Sequence, residues 1–96
     1  MNLNLSTEVL EENEIDVSDG TTFASKVILF NDEIHTFDDV ILQLMKAINC
    51  TPERGEELAW VVHSKGKAVV YEGDMPDCLR VSGILEEIAL HTQIEY

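Results

Sequence analysis

An α+β fold is predicted for this chain: a three-stranded antiparallel sheet with helices packed on one face, in the order β-α-α-β-α-β. Three observations predict it. Lys26 to Phe30 is an almost continuous apolar run rich in β-branched residues, the pattern of a buried strand. Lys67 to Tyr71 and Thr92 to Tyr96 read as two more strands. Between the strands stand three helix starts, each followed by apolar residues at helical spacing.

Taken in order, residues 1 to about 24 carry Glu8, Glu11, Glu12, Glu14, Asp16 and Asp19, with no Lys or Arg before Lys26. Their apolar residues keep no sustained period, so the segment reads as a flexible acidic arm with room for one short strand around Thr7 to Leu10. Asp19-Gly20 is a turn dipeptide that closes it. The folded core is expected over residues 25–96.

After the first strand, Asn31 to His35 form a polar loop, and Thr36 with Asp39 supplies a capping-box-like start for a helix. Val40, Ile41, Leu44, Ala47 and Ile48 give that helix one apolar face. Thr51-Pro52 starts the second helix, because proline at the first helical position lacks only an N–H that would be unpaired anyway. Leu58, Val61 and Val62 are expected to face the core. Gly66, free to take the left-handed conformation, ends this helix. Asp74 or Met75 opens the third, with Cys78, Leu79, Leu85, Ile88 and Ala89 on its buried side.

The composition narrows the function classes. At 96 residues and 45% apolar, the chain suits a single domain that buries a modest core without disulfides. Cys50 and Cys78 have no partner at metal-motif spacing and no secretory leader is evident, so a reducing cytoplasm is the expected location. No apolar run is long enough to cross a bilayer. A net charge of -13 repels phosphate backbones and anionic lipid, which argues against nucleic acid and membrane partners and favours a cationic group. A monomer is expected.

Two segments carry a recognisable pattern. Val27-Ile28-Leu29-Phe30-Asn31-Asp32-Glu33 is similar to the opening of the ClpS core, and His63-Ser64-Lys65-Gly66-Lys67-Ala68 resembles that family's His-x-x-Gly-Lys-Ala segment. The distance from Asn31 to His63 agrees with the family's without insertion, and the resemblance runs roughly from Lys26 to Ala89. It implies an adaptor, not an enzyme, with no cofactor. Such an adaptor binds N-degron substrate proteins by their free α-amino group and bulky first residue and delivers them to the amino-terminal domain of a Clp AAA+ unfoldase.

By the same resemblance, Asn31, Asp32 and His63 hold the α-amine. The chemistry fits, because an ammonium offers three donors and no acceptor and is met by convergent oxygens and a neutral imidazole nitrogen. The pocket for the first side chain is assigned to Ile34, Phe37, Val40, Ala59 and Val62. Methionine is frequent in the family at the Phe37 and Ala59 positions, so the cavity is reshaped here. The third helix departs further: Cys78-Leu79-Arg80-Val81 stands near a family Ala-Glu-x-Lys-like stretch, which leaves Arg80 as the basic residue for unfoldase docking.

Two other classes compete. Asp32, Glu33, His35 and His63 could be imagined as a metal or acid–base cluster, although no recognised spacing supports an enzyme. A ClpS-like interaction or scaffold domain without N-degron binding is the other, since the core is similar in shape to the carboxyl domain of a ribosomal stalk protein and fold does not settle function. Convergence of Asn31, Asp32 and His63 on one pocket is the discriminating observation.

Overall fold

The computed structural model describes residues 24–96. Residues 1–23 of the predicted arm, with its possible strand and the Asp19-Gly20 turn, lie outside the described residues. The element order is β1 (Ser25–Phe30), α1 (Phe37–Ile48), α2 (Pro52–Lys65), β2 (Lys67–Gly73), α3 (Met75–Glu86) and β3 (Thr92–Glu95), the predicted β-α-α-β-α-β succession.

All three predicted helix starts are caps in the structure. Thr36 and Asp39 form a full capping box, with the Asp39 N–H donating to Thr36 Oγ1 at 3.1 Å. Thr51 Oγ1 accepts from the Arg54 N–H, and Asp74 Oδ1 from the Asp77 N–H. Each satisfies one of the orphan donors that a helix start leaves. Gly66 ends α2 at φ 87°, and a Cβ built there would meet nothing within 4 Å. Its requirement is therefore conformational, not steric.

The sheet runs β2-β1-β3, antiparallel throughout, with the apolar strand β1 in the centre. Between Val27 and Ile28 the β1–β2 register slips by one, leaving Val70 as the extra residue on β2. Val27 and Leu29 point into the helical layer and share a core with Leu44 and Ala47 of α1, Leu58 and Val62 of α2, and Cys78, Val81 and Leu85 of α3. At Gly55, a Cβ would come within 3.2 Å of the Ile41 side chain, so this glycine sets how closely α1 and α2 approach.

The structure corrects three core assignments. Val61 is 37% exposed, because Leu58 and Val62 at i and i+4 define the inner face of α2. Leu79 is 58% exposed, while Val81 takes the inner position in line with Cys78, Ser82 and Leu85. Ala89 is not on a helical face: α3 stops at Glu86, and Ala89 is exposed with φ 64° in the turn that leads to β3.

Candidate functional site

The two motifs lie 32 positions apart in sequence (Asn31 to His63), and the central strand brings them together. Phe30 pairs with Lys67 across the β1–β2 ladder, and one step further the Asn31 N–H donates to the Gly66 carbonyl at 2.9 Å. Asn31 is thereby tied to the C-cap of α2, one turn from His63. A cavity of about 450 Å³ opens between this junction and α1, within the ~300–1,000 Å³ usual for ligand pockets.

Leu29, Phe30, Phe37, Val40, Ala59, Val62 and Leu90 supply the apolar lining, and Asn31, Asp32, Glu33, His35, Thr36 and His63 the polar part. The three residues assigned to an amine and four of the five assigned to a side-chain pocket thus line one cavity. Ile34 does not. It is 86% exposed, because Asp32 folds the loop into a turn: Oδ1 accepts the N–H groups of Ile34 at 2.8 Å and His35 at 2.9 Å. That turn sends the intervening side chain outward. His35 takes the place inside.

His35, which the sequence pattern assigns to no amine or side-chain subsite, is the most constrained side chain of the loop. Nδ1 lies 2.7 Å from Asp32 Oδ2 and Nε2 2.5 Å from the Ile88 carbonyl oxygen, with the side chain only 13% exposed. The Ile88 carbonyl first, and then the Asp32 carboxylate, raise the His35 pKa against the opposing effect of burial. For Asp32, burial would raise the pKa, but the N–H groups of His35 and Ile34 and the His35 ring together hold the carboxyl below its usual range. An Asp three residues before a His, beside a predicted cap, was the available signal.

An aromatic edge borders the cavity. The Phe37 ring meets Trp60 at 5.2 Å and His63 at 6.3 Å, and Trp60 meets His63 at 5.9 Å, all edge-on. Trp60 is 55% exposed. Among the described residues no group of three or more His, Cys, Asp or Glu is arranged to hold a metal, and no helix is long and apolar enough to cross a membrane. Arg80, on α3, donates from Nη1 to the Ala47 carbonyl at 3.2 Å, so part of its hydrogen-bonding capacity serves the end of α1.

With this geometry in place, comparison with known proteins is decisive: residues 22–93 match the family described as ATP-dependent Clp protease adaptor protein ClpS. The chain belongs to the ClpS family. That family is one of protease adaptors, not of catalysts. The ClpS adapter of Thermosynechococcus vestitus is 47% identical over 49 residues, half of this chain and 52% of that protein. Human E3 ubiquitin-protein ligase UBR2 is 38% identical over 58 residues, 60% of this chain. The chain spans only 3% of that ligase's length. Among solved structures, Agrobacterium tumefaciens ClpS2 bound to L-phenylalaninamide superposes with a TM-score of 0.66, covering 75% of this chain and 94% of the other. At 20% sequence identity, that likeness speaks to the ClpS fold.

Proposed function

We propose that this chain binds the free α-amino group and bulky apolar first side chain of N-degron substrate proteins and delivers them to a Clp AAA+ unfoldase. The observation that carries this reading is the meeting of Asn31, Asp32 and His63 on one cavity that also has an apolar wall. Carboxylate and amide oxygens with an imidazole nitrogen suit an ammonium, and Phe37, Val40, Ala59 and Val62 suit the side chain beside it. The amino acid amide bound by Agrobacterium ClpS2 has this chemistry, a free amine next to an aromatic side chain. Docking is assigned to the outer face of α3, where Arg80 lies beside exposed Leu79.

The similarity to UBR2 and to three further ubiquitin ligase sequences favours a second reading of the step after capture. In that reading the same recognition module passes its substrate to ubiquitin transfer within a longer protein.

The deciding experiment is binding to a peptide set that varies only the first residue, each with a free and an acetylated amino end. Peptides beginning with Leu, Phe, Tyr or Trp should bind and β-branched ones poorly. Acetylation removes the charge while keeping the shape, and unpaired buried polar groups cost about 1–3 kcal/mol each. Acetylated peptides should therefore show no measurable binding. Equal binding of free and acetylated forms would leave a scaffold domain without N-degron recognition.

A further inference from the structure

The fold gives the His35 imidazole two partners that can only accept. One is the Asp32 carboxylate, three residues before it, at 2.7 Å from Nδ1. The other is the Ile88 carbonyl oxygen, 53 residues away in the turn after α3, at 2.5 Å from Nε2. A neutral imidazole has one N–H and one lone pair, so it would turn that lone pair on either the carboxylate or the carbonyl. Both contacts are direct, at 2.7 and 2.5 Å, so no water stands between ring and acceptor to relieve the mismatch. Both contacts are satisfied only when both ring nitrogens carry hydrogen.

We propose that His35 is a positioning residue for the amine grip, held as an imidazolium that fixes the Asp32 carboxylate and straps the site loop to the α3–β3 turn. The proposal rests on the amine-binding reading above. With Oδ1 engaged by two backbone N–H groups and Oδ2 by His35, the carboxylate has one orientation, and its one remaining lone pair, on Oδ2, is aimed rather than mobile. The raised His35 pKa agrees with this arrangement.

The strap also changes the charge of the site. Asp32 and His35 largely cancel, so the net negative charge offered to an ammonium comes from Glu33, which lines the cavity and makes no ion pair among the described residues. Asp39, at the start of α1, acts on His35 through space, and His63 of α2 is the other titratable group on the cavity. From the α3–β3 turn only the Ile88 carbonyl reaches His35, because Glu87 pairs with Lys46 and Glu86 bonds Thr92.

The test has two arms on the full chain. Imidazole nitrogen NMR should show both His35 nitrogens protonated at about pH 6.5, with a midpoint above that of a free histidine. A lone-pair nitrogen on His35 there would overturn the proposal, and this arm needs no variant to fold. In the second arm, one free-amine peptide beginning with Phe is bound to wild type and to His35→Gln from about pH 6 to about pH 8. The affinity ratio cancels the ligand's own titration. It should be about tenfold at the acid end and narrow toward unity as His35 loses its proton. A ratio that is flat across the range overturns the positioning role while leaving amine recognition intact. A peptide that binds neither protein overturns the amine reading and this role with it, while the NMR result still decides the protonation state of His35.

Discussion

The loop between β1 and α1 and the outer face of α3 both show polar and apolar side chains to solvent, but they are built in opposite ways. In the loop, the Asn31 N–H, both oxygens of Asp32, both nitrogens of His35 and the Thr36 hydroxyl each have a defined partner within the protein. On α3, Leu79 stands 58% exposed and Arg80 spreads its contacts between Ala47 and a distant Asp77 carboxylate at 3.9 Å. Small polar ligands are recognised by fixed directions, and fixed directions need internal hydrogen bonds. A helix face that docks another protein needs only a shape and an exposed apolar anchor.

Substitutions at four positions sharpen this contrast, beginning with the largest effect. Leu29 is fully buried, and it is both core and cavity lining. Leu29→Ala should cost about 2–5 kcal/mol of stability, read by chemical denaturation, and should depress peptide binding as well. A loss of binding without any loss of stability would mean that the cavity is separable from the core.

Next come the polar residues. Asp32→Ala and His63→Ala should each weaken binding of a free-amine peptide by about tenfold or more, measured by calorimetry. Asp32→Asn, which keeps an oxygen for the Ile34 and His35 N–H groups, separates the turn from the charge. If it binds like wild type, Asp32 acts through the loop alone, and the difference between loop and helix narrows to architecture.

The smallest effect belongs to α3. Leu79→Ser, at an exposed position, should change stability by no more than about 0.5 kcal/mol and leave peptide affinity untouched. Delivery of a captured substrate to an unfoldase should suffer instead, in a degradation assay reconstituted with one. Weakened peptide binding in this variant would erase the division of labour.

Much of the fold was legible because local chemistry agreed with it. Thr36, Thr51 and Asp74 are caps by residue type, Gly66 is a stop, and β1 is apolar on every inward position after Ser25. The juxtaposition of Asn31 with His63 was legible only through the family pattern, since it depends on strand register and on a bond from Asn31 to Gly66. Ile34 was assigned to the pocket by the family register, and it stands outside because Asp32 sets the direction of the turn. Leu79 was misplaced because Cys78, Val81 and Leu85 carry the face at i, i+3 and i+7, one step out of phase with it. For His35 only the spacing from Asp32 was legible, because its second partner is a backbone carbonyl in a turn that no side chain announces.

Trp60 is the only tryptophan among the 96 residues, and it stands edge-on to both Phe37 and His63, two residues that line the cavity. Nature has in effect placed one fluorophore at the rim. Its indole is half in water, so any ligand that seats beside His63 changes the polarity around the emitting ring. A peptide beginning with leucine brings no indole of its own, and every change in emission would then belong to the protein. Occupancy of the cavity can be followed optically in the unlabelled chain, at concentrations low enough to measure tight binding.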